Sequence, residues 1–245
     1  MNCDTCGTEM EEFECFGIVV RACKKCTDEV QLYHDRIAAE RTEEQRATRA
    51  KEISEKIEAL GIGERYKGLT FDSYSEEHAG QKRAKSVCKQ AVERFDDFRK
   101  SGTTIMMYGK SGTGKTMLAT IMAQELIKAG YAVEYTTVLR CIRSIRQTFK
   151  TDKDEQQAID RYSKHAKTLI IEEVGVKVAT DYENAILFEI LDDRYRNNLP
   201  TIITSNLNAE GLAEYFGERI WRRFNTQKGI SLKFDWEWVD KEAKA

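Results

Sequence analysis

The chain has 245 residues, which is enough for one large α/β domain and a small additional module. Its 39 Lys+Arg residues are balanced by 41 Asp+Glu residues, and the net charge of -2 excludes a basic nucleic-acid coat over the whole surface. No apolar run reaches the roughly 18 residues that span a bilayer, and the N-terminus lacks the pattern of a signal peptide. We therefore expect a soluble, cytoplasmic protein without a membrane partner.

Four cysteines near the N-terminus predict a zinc site. They form two Cys-x-x-Cys pairs, Cys3 with Cys6 and Cys23 with Cys26, separated by sixteen residues. This spacing is typical of four-thiolate zinc sites, in which two tight turns close a tetrahedral shell. Because a closed shell leaves no open position, we predict a structural Zn²⁺ ion; reduced cysteines without metal are the alternative. Cys15 lies between the pairs, and its role stays open.

A helix is predicted over residues 28–60. Its last turns carry an apolar stripe at the spacing of one helix face, formed by Ile53, Ile57 and Leu60. Residues 40–51 contain no large apolar side chain, so this part is either a solvated helix or partly disordered. Two glycines follow the stripe, and we place the domain boundary there. Residues 1–62 then form a zinc-binding and helical module, and residues 63–245 form a second domain.

The second domain contains a phosphate-binding loop. A predicted helix over residues 81–100 and an apolar strand over residues 103–108 precede it. The loop matches the pattern G-x-x-x-x-G-K-[ST] and consists of Gly109, Lys110, Ser111, Gly112, Thr113, Gly114, Lys115 and Thr116. Its backbone N–H groups and the N-terminus of the following helix favour phosphate. We predict that Lys115 contacts the β- and γ-phosphates of ATP and that the Thr116 hydroxyl binds Mg²⁺.

An amphipathic helix is predicted after a second strand at residues 132–135. One face is apolar and contains Val138, Ile142, Ile145 and Phe149. Another face is basic, contains no acidic residue, and consists of Arg140, Arg143, Arg146 and Lys150. The basic face predicts either contact with nucleic-acid phosphates or an ordinary solvated helix surface, and both interpretations stay open.

Polar side chains follow two further predicted strands. The strand at residues 168–171 ends in Glu172 and Glu173, and the strand at residues 201–204 precedes Asn206. After a phosphate-binding loop, the first acid is expected to assist Mg²⁺ and the second to orient and polarise the attacking water. Asn206 is expected to hold that water or to sense the γ-phosphate; a turn-capping role is the alternative.

A cluster of arginines lies near the C-terminus, at Arg219, Arg222 and Arg223. Arginine side chains bind phosphate oxygens in a bidentate manner. Supplied to the nucleotide of a neighbouring subunit, one of them would accelerate hydrolysis by roughly 10³–10⁵-fold. A solvated basic helix is the alternative.

These features, in this order, resemble the DnaC family of replicative helicase loaders, which are AAA+ ATPases of bacteria and phages. The resemblance runs from about residue 71 to residue 238 and includes Phe71–Tyr74, Leu169–Val176, Thr204–Asn206 and Phe234–Trp236. It implies an α/β fold, namely an AAA+ P-loop ATPase domain with a central parallel sheet flanked by helices. In this chain the zinc-binding and helical module precedes that domain.

The resemblance also implies roles for individual residues. Lys115 and Thr116 bind nucleotide and Mg²⁺. Glu173 corresponds to the catalytic acid and Asn206 to the first sensor. Arg223 corresponds to an arginine finger that completes the site of a neighbouring protomer, and Arg219 is a second interface candidate.

The family implies three kinds of partner. These are a DnaB-like hexameric replicative helicase bound through the N-terminal domain, single-stranded DNA bound by the ATPase domain, and further copies of the chain in ATP-controlled self-association.

Two features depart from the family. Glu172 stands where the family usually has Asp, and the four-cysteine module differs from N-terminal domains that are wholly helical. The implied location is the cytoplasm of a bacterial or phage-infected bacterial cell.

The favoured hypothesis is an ATP-dependent helicase loader that acts in the initiation of DNA replication. A transposition helper ATPase similar to the IstB family is one alternative, which duplex-DNA assembly and a transposase partner would mark. A nucleotide-gated adaptor that binds ATP with little hydrolysis is another, which Glu172 would permit.

Overall fold

The structure is a computed structural model and describes residues 2–4, 6–15, 18–148, 152–175, 180–225 and 229–237. The chain divides into two compact units, Met1–Glu55 and Lys56–Ala245. Among the described residues, no helix combines the length and apolarity needed to cross a bilayer.

The first unit contains a β-hairpin and most of one long helix. Strands β1 (Glu11–Cys15) and β2 (Ile18–Ala22) pair in antiparallel fashion. Helix α1 (Lys24–Ala59) confirms the predicted helix and begins a few residues earlier than predicted. The side chains of residues 42–50 are all exposed. The solvated alternative is therefore the one observed for this stretch.

The second unit is built on a five-stranded parallel sheet. Its strands are β3 (Thr104–Gly109), β4 (Val133–Thr137), β5 (Thr168–Val174), β6 (Thr201–Ser205) and β7 (Gly229–Phe234). Their order in the sheet is β4-β5-β6-β3-β7, and all neighbours run parallel. The predicted strands are confirmed to within a few residues, and β7 has no counterpart among them.

Helices cover both faces of the sheet. They are α2 (Ala79–Glu93), α3 (Phe95–Ser101), α4 (Lys115–Lys128), α5 (Val138–Arg146), α6 (Asp152–Asp160), α7 (Asp181–Arg196) and α8 (Ala209–Asn225). Short 3-10 turns lie at Glu64–Tyr66 and Phe71–Ser73, and a π-turn lies at Arg161–His165.

The helical pattern predicted over residues 81–100 is confirmed, but it forms two helices instead of one. The backbone leaves the helical region at Arg94, with φ -108° and ψ 32°, so that α2 ends and α3 begins there. Phe95, directly after the break, is buried and packs edge-to-face on Tyr131 with ring centroids 4.7 Å apart. The break thus sets the direction of the Phe95 side chain, which would point elsewhere if the helix continued through Arg94.

The core lies on both sides of the sheet, which explains the apolar runs in the central strands β3, β5 and β6. In β3, Ile105 and Met107 point to the face covered by α2 and α4, whereas Met106 points to the face covered by α5, α7 and α8. Ile142 and Ile145 on the predicted apolar face of α5 are buried in the second of these layers. The carboxyl ends of β3, β5 and β6 meet at one edge, where ligands bind in open α/β sheets.

Candidate nucleotide-binding site

The phosphate-binding loop joins β3 to α4. Its three glycines, Gly109, Gly112 and Gly114, have positive φ angles of 124°, 75° and 92°. A Cβ atom at Gly109 would lie 2.3 Å from the carbonyl oxygen of Phe234, and one at Gly114 would lie 2.5 Å from the ring of Tyr74. Glycine is therefore required at both positions, because a side chain would be strained and would overlap its neighbours.

The side chain of Lys115 lies inside this loop. Its Nζ donates hydrogen bonds to the carbonyl oxygens of Gly109 at 2.9 Å and Lys110 at 2.6 Å. Burial lowers the pKa of Lys115 to about 8, since the loss of water disfavours the ammonium. Ser111 and Gly112 are exposed at the tip of the loop. The loop can thus hold phosphate oxygens between its N–H groups and this ammonium.

Two aromatic residues fix the loop from outside. The Tyr74 hydroxyl donates to the carbonyl oxygen of Thr113 at 3.0 Å, and the Trp236 indole donates to the same oxygen at 3.2 Å. The Lys110 N–H donates to the carbonyl of Phe234 at 2.8 Å, at the end of the segment in which β7 pairs with β3. The motifs in the sequence predict no role for these aromatic residues, although Tyr74 and Trp236 lie in segments that carry the family resemblance.

Glu172 is buried at the end of β5, with 4% of its surface exposed. Tyr135 of β4 donates a hydrogen bond to its Oε2, whereas Oε1 has no hydrogen-bond partner in the described part of the chain. Burial raises the pKa of Glu172, and the side chains of Tyr135, Thr116 and Thr204 face the carboxyl and oppose that rise. Thr116, the predicted Mg²⁺ ligand, and Glu172 are therefore brought together.

Glu173 has the opposite environment from Glu172. Its side chain is exposed, and its φ angle of 62° lies in the left-handed region. The pairing of β5 with β6 shifts register between Ile171 and Val174, so the bulge turns Glu173 away from the regular ladder. Its N–H donates to Thr204 Oγ1 at 3.3 Å. The second predicted acid thus stands exposed at the carboxyl edge of the sheet.

Asn206 is exposed directly after β6. The residue before it is held within the sheet, because Ser205 pairs with Val174 of β5 on one side and with Tyr108 of β3 on the other. Ser205 Oγ also donates to the Val174 carbonyl at 2.6 Å. Asn206 therefore follows the strand that separates Glu173 from the phosphate-binding loop, which is where a water-holding amide was predicted.

Arg223 contacts two residues of its own chain. Its guanidinium forms an ion pair with Asp192 of α7 and lies 4.9 Å from the ring centroid of Tyr195. Gly217, at φ 70° and ψ 160°, kinks α8 before these arginines. The backbone of Arg219 belongs to α8, but its side chain lies outside the described residues.

The four sulfur atoms predicted to bind zinc lie together in the first unit. The Sγ atoms of Cys3, Cys6, Cys23 and Cys26 all lie within 4.8 Å of one another. Four zinc–sulfur bonds of about 2.3 Å in a tetrahedron would separate the sulfurs by about 3.8 Å. The donor set and its spacing therefore fit Zn²⁺. The side chain of Cys15 lies outside the described residues.

Three arginines of the predicted basic face are exposed on α5, namely Arg140, Arg143 and Arg146. Arg140 Nη1 donates to the carbonyl of Gly61 at 3.3 Å, and Arg146 forms an ion pair with Glu183 at 3.2 Å. The face itself contains no acidic residue, but Glu183 reaches it from α7 and balances one of its charges. Phe149 and Lys150 lie outside the described residues.

Comparison with known proteins adds a family and a set of related folds. The family described as IstB-like ATP binding protein matches residues 24–221. The replicative helicase loader DnaC of Escherichia coli strain K12 is 28% identical over 193 residues, which cover 79% of this chain and 78% of that protein.

Two solved structures show the same fold. The crystal structure of the DnaC helicase loader has a TM-score of 0.57 at 19% identity and covers 70% of this chain and 99% of that chain. The replication initiator DnaA bound to AMPPCP and single-stranded DNA has a TM-score of 0.58 at 22% identity and covers 72% of this chain and 51% of that chain. At these identities the likeness concerns the fold alone.

Proposed function

The chain belongs to the IstB-like ATP-binding protein family and has the AAA+ P-loop fold that its sequence predicts, and we propose that it is an ATP-dependent loader of the replicative DNA helicase. The observation that carries the proposal is the likeness to the replicative helicase loader DnaC over 79% of this chain and 78% of that protein. The family model matches residues 24–221, a range that includes the phosphate-binding loop and both strand-end acids.

ATP would be held by the loop from Gly109 to Thr116. The glycine cradle, which a Cβ atom would fill, and the buried Lys115 ammonium both fit a phosphate chain. Mg²⁺ would be held by Thr116 and Glu172. The buried Oε1 of Glu172, which has no hydrogen-bond partner among the described residues, fits a cation. When bound, Mg²⁺ neutralises negative charge on the phosphates.

Hydrolysis would be performed by the exposed polar groups at the edge of the sheet. Glu173 would orient the attacking water and accept its proton, because its carboxylate stands outside the buried ladder. Asn206, after the neighbouring strand, would hold the same water or contact the γ-phosphate. Glu172, one residue earlier and buried, would leave the proton transfer to Glu173.

Arg223 would complete the site of a neighbouring protomer, with Arg219 as a second interface residue. In its own chain Arg223 forms an ion pair with Asp192 and contacts the ring of Tyr195, and its side chain remains 24% exposed. Isolated protomers would then be poor ATPases, and self-association through the ATPase domain would increase their turnover.

The N-terminal module over residues 1–62 would bind the helicase, and the ATPase domain over residues 63–245 would bind single-stranded DNA. A zinc ion held by the cysteine cluster would stabilise the first unit. Residues 1–26 contain three basic and five acidic side chains, which favours a protein partner over DNA. The exposed arginines of α5 would contact DNA phosphates. With these partners, the activity would take place in the bacterial cytoplasm.

The deciding experiment mixes the full chain with the replicative helicase of its own host, with and without ATP, and measures the mass of the complexes. We expect a complex of chain and hexameric helicase whose stability depends on ATP, and ATPase activity that single-stranded DNA increases. The Lys115→Ala variant is the control, because it should lose the dependence on ATP. The Lys128→Ala variant removes a lysine from the far end of the same helix and should behave as wild type.

Other outcomes would replace the proposal. No helicase complex in either nucleotide state, together with assembly on duplex DNA, would favour a helper ATPase similar to IstB, the protein for which the matching family is named. Tight ATP binding with negligible turnover at every protein concentration would favour a nucleotide-gated adaptor.

A further inference from the structure

The buried carboxylate of Glu172 uses its two oxygens differently. Oε2 accepts a hydrogen bond from the Tyr135 hydroxyl, and Oε1 has no hydrogen-bond partner in the described residues. An unpartnered carboxylate oxygen at a site that is 4% exposed is costly unless a cation binds it. The side chain of Thr116 faces the same carboxyl.

The register of the sheet explains why Tyr135 reaches Glu172. In the parallel pair of β4 and β5, Tyr135 lies opposite Ile170 and Thr137 lies opposite Glu172. Residues two apart on a strand point to the same face, so Tyr135 and Glu172 share the face on which α4 packs. The partly buried Tyr135 ring packs against that core layer, which leaves its hydroxyl directed along the sheet.

We propose that Tyr135 is a positioning residue that holds Oε2 of Glu172 and reserves Oε1 for the Mg²⁺ of a bound Mg·ATP. This role rests on the proposed function, which assigns that metal to Glu172 and Thr116. A glutamate has one more rotatable bond than the aspartate usual in the family, and its carboxylate therefore needs a second contact to stay in one orientation. A hydroxyl on a packed aromatic ring supplies that contact with few rotatable bonds of its own.

The Tyr135→Phe variant tests the role, because it removes the hydroxyl and keeps the ring. The probe is Mn²⁺, followed by electron paramagnetic resonance, with the full chain saturated with a non-hydrolysable ATP analogue. We expect Mn²⁺ to bind about 10-fold more weakly to the variant, the lower end of the range for lost outer-shell partners. The affinity for the analogue in EDTA should stay unchanged, because the loop itself is intact.

The matched control is Tyr162→Phe. This variant removes a tyrosine hydroxyl that hydrogen-bonds Ser144 at 2.8 Å, far along the sequence from the loop. It should bind Mn²⁺ as wild type does. In a Glu172→Ala background, Tyr135→Phe should cause no additional loss, since a positioning residue acts only through its partner.

Several results would overturn the role of Tyr135. These are wild-type Mn²⁺ affinity in Tyr135→Phe, an equal loss in Tyr162→Phe, or the full loss persisting without Glu172. If Tyr135→Phe fails to bind the analogue in EDTA, replacement of Tyr135 by para-fluorophenylalanine, which fills the volume without a donor, takes its place. A wild-type chain that binds the analogue but no Mn²⁺ would overturn the metal site itself.

Discussion

The indole N–H of Trp236 donates a hydrogen bond to the carbonyl oxygen of Thr113 at 3.2 Å, across 123 residues of sequence. Trp236 follows β7, a strand at the edge of the sheet, so the contact connects the phosphate-binding loop to that edge. Tyr74, which precedes the loop in sequence, donates a hydrogen bond to the same buried oxygen. The loop geometry therefore depends on two segments that lie far from the motif.

The shared oxygen of Thr113 predicts a non-additive pair of substitutions. Tyr74→Phe should cost only about 0.5–1.5 kcal/mol, because the oxygen keeps one donor. Trp236→Phe should cost more, because it also removes ring volume from a buried site. The double variant leaves a buried acceptor unpaired, and we expect its loss to exceed the sum of the single losses by about 1 kcal/mol. Urea unfolding of the four proteins and their ATP affinities measure the effect; strictly additive losses would contradict it.

The lowered pKa of Lys115 predicts that ATP binding takes up a proton. In the free loop the pKa is about 8, whereas bound phosphates favour the charged ammonium. The Kd of ATP should therefore rise by up to about tenfold per pH unit above pH 8, where the phosphates of ATP, with a pKa of about 6, no longer titrate. The unfolded chain binds more protons in the same window, so the free energy of unfolding of the free protein should rise with pH.

Calorimetric titrations in two buffers of different ionisation enthalpy measure this uptake directly. Zero proton uptake at a pH half a unit above the pKa of Lys115 would contradict the assignment of its ammonium to the phosphates.

Arg223→Ala should spare ATP binding and lower the turnover of the assembled protein by roughly 10³-fold or more, as expected for an arginine supplied in trans. Arg196→Ala is the matched control, because Arg196 also contacts Asp192. Steady-state turnover across a series of protein concentrations separates the two. Unchanged turnover in Arg223→Ala, or an equal loss in Arg196→Ala, would exclude the role.

Arg143→Ala should weaken the binding of single-stranded DNA and reduce the slope of log K against log salt by about 0.7. Arg146→Ala should have a smaller effect, because Glu183 already balances its charge. Arg99→Ala, an exposed arginine on α3, is the control. A salt slope that Arg143→Ala leaves unchanged would return this face of α5 to an ordinary solvated surface.

Cys6→Ser should abolish the binding of one zinc ion per chain and lower the melting temperature of the first unit, because metal binding and folding are coupled in such sites. Zinc content by mass spectrometry of the purified chain measures the first effect. Cys88→Ser is the control, since Cys88 is fully buried in the second unit. Full zinc content in Cys6→Ser would contradict the four-cysteine site.

Local patterns were sufficient to predict four of the five strands of the sheet and the loop. Strands that are covered on both faces consist of short apolar runs, which are visible in the sequence. The glycine spacing of the loop reflects the positive φ angles that its backbone adopts. The prediction failed where distant parts of the chain decide the local structure. No glycine or proline marks the break at Arg94, which accompanies the packing of Phe95 on Tyr131.

The positioning contacts of the site were missed for the same reason. Tyr135 meets Glu172 only through the register of β4 and β5, and Trp236 meets Thr113 only because β7 pairs with β3. Glu183 contacts Arg146 from α7, which follows β5 in the sequence, whereas α5 precedes it. None of these pairs is adjacent in sequence, and none follows from residue type alone.

The left-handed backbone at Glu173 sets stability against function at one position. A non-glycine residue there costs about 1–2 kcal/mol, which glycine would not. A library of variants screened for melting temperature alone should therefore accumulate glycine or asparagine at position 173 and lose the carboxylate. Selection that retains Glu173 has to act on turnover, and a thermostable engineered version of the chain needs its added stability from other positions.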